Sequence, residues 1–187
     1  MLKFYRRSLV ILTVRLAVTL ALSMLLMVGG VAVPLASAQQ GPINFNLRTT
    51  DGGQISAEML RGDVVVLAFS PSSLPLSRAL LPGVQELADK YRDRNVRIYW
   101  VSTDSNSPNS KNYATDAQLR AFAEKYGLKV GVLRDPEGVL FKQVGADQLP
   151  ALVILDREGN VSGAPIGGLD PRGKLIDKLA PRLNPLL

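Results

Sequence analysis

Hydrophobic residues recur along the chain at the two spacings that are typical of strands and of helices. The run at 64–69 is apolar on both faces, which predicts a central buried strand, and 96–103 is predicted as a second buried strand. Segments 74–94 and 116–128 instead repeat their apolar positions at helical spacing. The full order of predicted elements is β-β-α-β-α-β-α-β-β-α. This order predicts an α/β fold in which a central mixed β-sheet is flanked by helices.

Residues that favour helix ends refine these predictions. Ser73 is the expected N-cap of the first long helix, with Pro75 in its first turn, and Asp116 is the expected N-cap of the next helix. Asp170 is the expected N-cap of the last helix. Pro82 lies inside the first long helix and is expected to kink it.

The N-terminal segment, residues 1–38, has the composition of an export signal. Its charged residues are all basic: Lys3, Arg6, Arg7 and Arg15. An uncharged apolar run follows from Leu16 to Leu35, and Ala36-Ser37-Ala38 has the small-residue spacing of a cleavage site. Two interpretations remain open, a cleaved signal peptide and an uncleaved membrane-anchor helix, because about 20 apolar residues can span a bilayer.

The charge of this segment predicts where the rest of the chain resides. Basic residues before an apolar run stay on the cytoplasmic side, so the chain after it is expected in the periplasm or a thylakoid-type lumen. Arg6-Arg7 also raises the twin-arginine route, although an ordinary basic leader is the favoured interpretation.

The composition excludes several kinds of chemistry. The 187 residues include no cysteine and no histidine, which removes disulfides, thiolate catalysis, a Ser-His-Asp triad and histidine metal sites. Asp104 and Asn106 suggest a calcium loop, but Pro108, Asn109 and Thr115 occupy positions where an EF-hand needs other residues. No metal and no cofactor is therefore predicted.

The net charge of +6 is concentrated at the N-terminus. Subtracting its four basic residues from 22 leaves 18 against 16 acidic residues, a balance of +2. No basic stripe with interleaved aromatic residues follows, so nucleic acid is not a predicted partner.

Three long stretches and the final helix resemble one family in order and in spacing. They are residues 44–69, 81–104 and 133–161. Together they resemble the thioredoxin-like superfamily, and within it the exported, TlpA-type thiol–disulfide oxidoreductases and redoxins. The resemblance implies a signal or anchor at 1–38, a thioredoxin-like domain at 42–182 and a C-terminal tail at 183–187.

The same resemblance locates the family's redox motif in this chain. Its C-x-x-C cysteines correspond to Leu74 and Ser77, so the dithiol is replaced. Ser77 has no histidine to activate it, which favours a structural role in the first helical turn over nucleophilic catalysis. The family's cis-proline corresponds to Pro150, and the preceding Leu149 is the position that offers backbone hydrogen bonds to an extended peptide.

These correspondences predict a partner-binding surface. It comprises Ser73, Leu74, Pro75, Leu76, Ser77, Leu149 and Pro150. The alternative is that these residues only shape the start of a helix and cover the core. The expected partner is another exported or membrane protein of unspecified identity.

Three functions remain open at this point. The favoured hypothesis is a redox-inactive thioredoxin-like module that binds or scaffolds other proteins, and therefore is not an enzyme. The second is an oxidoreductase or antioxidant-type redoxin that borrows a redox group from a partner or cofactor. The third is a structural subunit of a membrane complex, held by an uncleaved N-terminal helix.

Overall fold

The computed structural model describes residues 41–168 and 173–187 of the chain. The predicted export or anchor helix at 1–38 and the predicted cap at Asp170 lie outside these residues. Among the helices of the described part, none has both the length and the apolar character needed to cross a bilayer.

The described residues form strands and helices in nearly the predicted order. The strands are β1 (Asn46–Arg48), β2 (Gln54–Ser56), β3 (Val64–Phe69), β4 (Val96–Ser102), β5 (Val132–Arg134) and β6 (Ala151–Leu155). The helices are α1 (Pro75–Tyr91), α2 (Asp116–Lys125), α3 (Val139–Gln143) and α4 (Leu175–Leu183), with 3₁₀ turns at Glu58–Leu60 and Asn184–Leu186.

The last predicted strand is reduced to two isolated bridges along β6. Val161 pairs with Leu155 and Ile166 pairs with Leu152. Between them Gly163 adopts a φ of +72°, and Pro165 has no backbone N–H to donate to a ladder. A continuous strand therefore does not form, although the segment still covers the outer edge of β6.

The mixed central sheet predicted from the sequence is confirmed. Its strand order is β5-β4-β3-β6, with β3 parallel to β4, β4 parallel to β5, and β3 antiparallel to β6. The hairpin of β1 and β2 is a separate two-stranded ladder, joined to β5 by a bridge between Thr49 and Leu133. The sheet therefore has two parallel strand pairings and one antiparallel pairing, which agrees with the expected thioredoxin-like topology.

The central strand β3 explains why the domain has two hydrophobic cores. Its residues are all buried, and successive side chains point to opposite faces of the sheet. Val64, Val66 and Ala68 pack in one core with residues of α1, α2 and α4. Val65, Leu67 and Phe69 pack in the other with the hairpin, α3 and the opposite faces of β5 and β6. A strand that is buried on both sides requires apolar residues at every position.

Helix α1 begins one residue later than the sequence predicts. Its N-cap is Leu74, with φ −79° and ψ 133°, and Ser73 is not the cap. Pro75 occupies the first helical position, and the residue before a proline is forced into an extended conformation. Helix α1 continues past Pro82, which lies on its exposed side, to Tyr91.

The cap of α2 also differs from the prediction by one residue. Thr115 is the N-cap, and its hydroxyl accepts a hydrogen bond from the backbone N–H of Gln118 at 3.2 Å. The Gln118 side chain accepts in return from the Thr115 backbone at 2.8 Å, which completes a capping box. Asp116 is instead in the first turn and pairs with Arg48 at 3.0 Å.

The C-terminal residues pack on the domain. Leu183 is buried at the end of α4, and residues 184–186 continue as a 3₁₀ turn. The Tyr91 hydroxyl donates to Asn184 Oδ1 at 2.9 Å. The segment expected to be a tail therefore contributes to the first core.

Candidate functional site

The loop of residues 70–74 joins the C-terminal end of β3 to the N-terminus of α1, a position where α/β proteins often place their sites. Ser73 and Pro75 are exposed, and Leu74 is half-buried. Leu76, in the first turn of α1, exposes 41% of its surface beside the exposed Pro75. The loop thus presents apolar side chains to solvent.

Ser77 lies beneath this surface because its side chain is fully buried. Its hydroxyl donates to the backbone carbonyl of Pro71, and its backbone N–H donates to the carbonyl of Leu74 at 3.1 Å. A hydroxyl held in this way is satisfied as a donor, and the chain contains no histidine to remove its proton. The geometry accordingly favours a role in closing the first turn, and a partner would contact the residues around Ser77 and not its side chain.

Trp100 of β4 anchors the start of the loop from below. Its indole Nε1–H donates to the backbone carbonyl of Ser70 at 3.1 Å and to the Ser70 hydroxyl at 2.9 Å. Both residues are fully buried, so these contacts are shielded from water. Sequence reasoning missed this anchor.

Leu149 and Pro150 lie at the same end of the sheet as the loop. Ala151, the next residue, pairs with Phe69 in the β3–β6 ladder, which places residues 149–150 beside the beginning of the loop. The peptide bond between Leu149 and Pro150 is cis, Pro150 is buried, and Leu149 is half-buried. The structure therefore brings the two predicted parts of the surface to the same end of the sheet.

The backbone before Pro150 is flanked by Gly167, which lies against the Gln148 side chain. Among the described residues, no hydrogen bond uses the backbone N–H or C=O of residues 147–149. The neighbouring edge of β6 is covered, since Leu152 exchanges hydrogen bonds with Ile166, and Ser162 donates to the carbonyl of Ile154. The described hydrogen bonds along this edge therefore stop at Leu152, before residues 147–149 are reached.

The loop after β4, which contains Asp104 and Asn106, is held by the positively charged side chain of Arg134. The guanidinium of Arg134 is buried and donates to the carbonyls of Ala114 and Asp104, at 2.9 and 3.2 Å, and to Asn106 Oδ1. Burial lowers the pKa of Arg134 from its usual range, whereas Asp116 and Asp104 act to raise it. No cluster of three or more metal-ligating acidic side chains occurs within the described ranges.

A groove lies at the beginning of β4, at the end of the sheet opposite to the loop of residues 70–74. This groove has a volume of about 540 Å³ and is lined by Asp63, Arg92, Arg97 and Tyr99 among others. Arg97 pairs with Asp63 at 2.9 Å. Burial raises the pKa of the Tyr99 hydroxyl, and the charge of Arg97 opposes that shift. These contacts stabilise the beginning of β4, and none involves the loop of residues 70–74.

Comparison with known proteins supports the fold and the family. The family model described as "AhpC/TSA family" matches residues 38–164. The thiol-disulfide oxidoreductase ResA of Halalkalibacterium halodurans is 24% identical over 135 residues, which cover 72% of this chain and 72% of that protein. The soluble secreted antigen MPT53 of Mycobacterium bovis is 25% identical over 142 residues, covering 76% of each chain.

A solved structure agrees with these matches at the level of the fold. The crystal structure of a thioredoxin-like protein from Aeropyrum pernix superimposes with a TM-score of 0.61 and 22% identity, covering 76% of this chain and 89% of that one. The family match extends over well more than half of the chain and includes the loop, β4 and the Leu149–Pro150 segment. The chain therefore belongs to the AhpC/TSA family of thioredoxin-like redoxins, and it does so without a cysteine.

Proposed function

We propose that this protein is a redox-inactive thioredoxin-like module that binds an extended segment of another exported or membrane protein. The observation that carries the proposal is the combination of a family fold with replaced redox positions. Leu74 and Ser77 stand where the family's C-x-x-C motif is expected, and the chain has no cysteine at any position.

Electron transfer through this scaffold requires a thiol. The nucleophile in thiol–disulfide exchange is a thiolate, which attacks a disulfide sulfur and forms a mixed disulfide. The sulfur atoms of this chain belong to its four methionines, whose thioethers cannot form that intermediate. The Ser77 hydroxyl cannot take the place of a thiolate, because it is buried and donates a hydrogen bond to the Pro71 carbonyl.

The binding surface, in contrast, retains its essential parts. Leu76 offers exposed apolar area beside Pro75 and Leu74. Residues 147–149 offer backbone groups at the same end of the sheet. A peptide that adds as a strand gains affinity from backbone hydrogen bonds and specificity from side-chain contacts, so an apolar surface beside an open backbone suits an extended, apolar segment.

The proposed location is the exported side of the membrane. The basic and apolar pattern of residues 1–38 favours export. The relative from Mycobacterium bovis is described as secreted, which supports the same location for this chain.

Site-specific photocrosslinking tests the proposal on the full chain in cells that export it. A photoreactive amino acid replaces Leu76 in one variant and Met59 in a matched control, since Met59 is also an exposed apolar residue, at 64%, but lies in the 3₁₀ turn before β3. We expect discrete adducts from position 76 that Leu74→Asp abolishes, and none of these from position 59. The same adducts from both positions, or none from position 76, would overturn the proposal.

A further inference from the structure

A buried carboxylate holds the loop of the proposed site. Asp104 follows the C-terminal end of β4, and only 1% of its surface is exposed. A carboxylate is costly to bury unless it is well hydrogen-bonded, so an apolar residue would be the ordinary choice at such a position. The contacts of Asp104 indicate what the charge is used for.

Both carboxylate oxygens of Asp104 accept hydrogen bonds. The donors are Ser72, which follows β3, and Ser102, at the end of β4. Oδ1 accepts from the Ser72 hydroxyl at 2.8 Å, and Oδ2 accepts from the Ser72 backbone N–H at 2.8 Å. Oδ2 also accepts from the Ser102 hydroxyl at 2.8 Å. Ser72 is therefore held through its backbone and its side chain by one residue, 32 positions further along the chain.

The contact between Asp104 and Ser72 lies directly before the proposed binding surface, which begins at Ser73. Ser72 is two positions from Leu74, and Pro71 accepts hydrogen bonds from Leu74 N–H at 3.4 Å and from the Ser77 hydroxyl. Trp100 fixes the other end of the loop at Ser70. Ser70, Ser72 and Ser77 thus accept or donate hydrogen bonds within the domain, whereas Pro75 and Leu76 are exposed and Leu74 is half-buried.

Asp104 also connects this loop with the next one. Its backbone carbonyl accepts from Arg134 Nη2 at 3.2 Å, and the same guanidinium holds Ala114 and Asn106. Asp104 therefore holds Ser72 through its side chain, while its own backbone carbonyl is held by Arg134.

We propose that Asp104 is a positioning residue, which holds Ser72 so that Leu74 and Leu76 are pre-arranged for an extended peptide; this inference rests on the proposed function. A loop that is already ordered loses less conformational entropy on binding, so pre-arrangement raises affinity without adding a contact to the peptide.

The test compares Asp104→Asn with Asp135→Asn in the full chain. Asp135 is a matched control because it is also buried, at 2%, and its carboxylate also accepts three hydrogen bonds, from the backbone N–H groups of Val139, Leu140 and Phe141 at the start of α3. Each asparagine replaces one accepting carboxylate oxygen by an NH2 group, which donates and cannot accept. Circular dichroism first tests whether both variants are folded. If Asp104→Asn does not fold, Ser72→Ala replaces it as a milder variant.

Two measurements then separate positioning from general stability. Amide hydrogen exchange at residues 72–77 reports on the loop itself, and we expect it to be at least about tenfold faster in Asp104→Asn, with no change in Asp135→Asn. The binding probe is a peptide selected from a random phage-displayed library on the wild-type chain and rejected by Leu76→Asp. We expect its Kd to rise about five- to tenfold in Asp104→Asn and to stay within twofold in Asp135→Asn.

Each other result overturns a defined part of the reasoning. Unchanged exchange at residues 72–77 in Asp104→Asn refutes the positioning role even if peptides bind. Faster exchange with an unchanged Kd refutes it as well, while the proposed function stands. If the library yields no peptide that depends on Leu76, the proposed function fails, and the inference fails with it.

Discussion

Replacing Trp100 by phenylalanine tests whether the loop depends on its anchor in β4. The indole Nε1–H is the donor to both the carbonyl and the hydroxyl of Ser70, and neither residue has access to water. Phenylalanine keeps most of the apolar contact, including the neighbouring ring of Phe122, whose centroid lies 5.6 Å away. It removes the donor completely.

The cost follows from two contributions. A buried polar group that loses its partner costs about 1–3 kcal/mol. The smaller ring leaves space equivalent to a few buried ring atoms, worth about 1–2 kcal/mol at roughly 0.8 kcal/mol per buried carbon group. We therefore expect Trp100→Phe to lower the free energy of unfolding by about 2–5 kcal/mol, a large fraction of the ~5–15 kcal/mol that is typical of domains.

Urea denaturation followed by far-ultraviolet circular dichroism measures this loss, since the variant lacks the chain's single tryptophan. Ser70→Ala is the matched control, because it removes one acceptor but keeps the hydrogen bond from Nε1 to the Ser70 carbonyl; about 1 kcal/mol or less is expected for it. A loss below about 1 kcal/mol for Trp100→Phe, or an equal loss for both variants, would refute the anchoring role of the indole.

Three further predictions concern a helix cap, a turn and a titrating side chain. Thr115→Ala removes the capping box with Gln118 and should cost about 1 kcal/mol in urea denaturation, whereas Thr115→Ser should cost much less; equal losses would contradict the cap. Gly159→Ala should lower the melting temperature, because a φ of +80° is strained for an L side chain and a β-carbon there would also displace the Arg61 guanidinium; the strain should remain in an Arg61→Ala background, so an unchanged melting temperature in that background would contradict this account. Since burial raises the pKa of Tyr99 above the usual 10.0, stability should fall as pH rises through and beyond that value, and Tyr99→Phe should reduce this dependence in denaturation series; an identical pH dependence in the variant would contradict it.

The elements of the sheet could be predicted from the sequence because burial on both faces leaves a strong local pattern. The uninterrupted apolar run of β3 is short and rich in valine, which favours a strand with a core on each side. The N-caps of α1 and α2 each lie one residue away from the predicted position, and at α2 this is because Thr115 and Asp116 both favour a cap. At Ser73 the decision depends on the conformation that Pro75 imposes on Leu74.

The site could be predicted only where the resemblance to a family supplied positions. Leu74 and Leu149 were assigned in this way, and the strand register brings their segments to one end of the sheet. The contacts of Trp100 and Asp104 could not be predicted, since they join residues 30 and 32 positions apart and depend on the pairing of β3 with β4. Polar residues directly after a buried strand are the signal that could have identified Asp104.

Disulfide reduction by the purified chain, assayed on insulin in the presence of excess dithiothreitol, tests the central claim most directly. The double variant Leu74→Cys/Ser77→Cys, which restores thiols at the two family positions, is the matched comparison on the same scaffold. We expect the native chain to give the rate of the protein-free blank, because it contains no thiol. A rate for the native chain that exceeds the blank in proportion to its concentration would contradict the account.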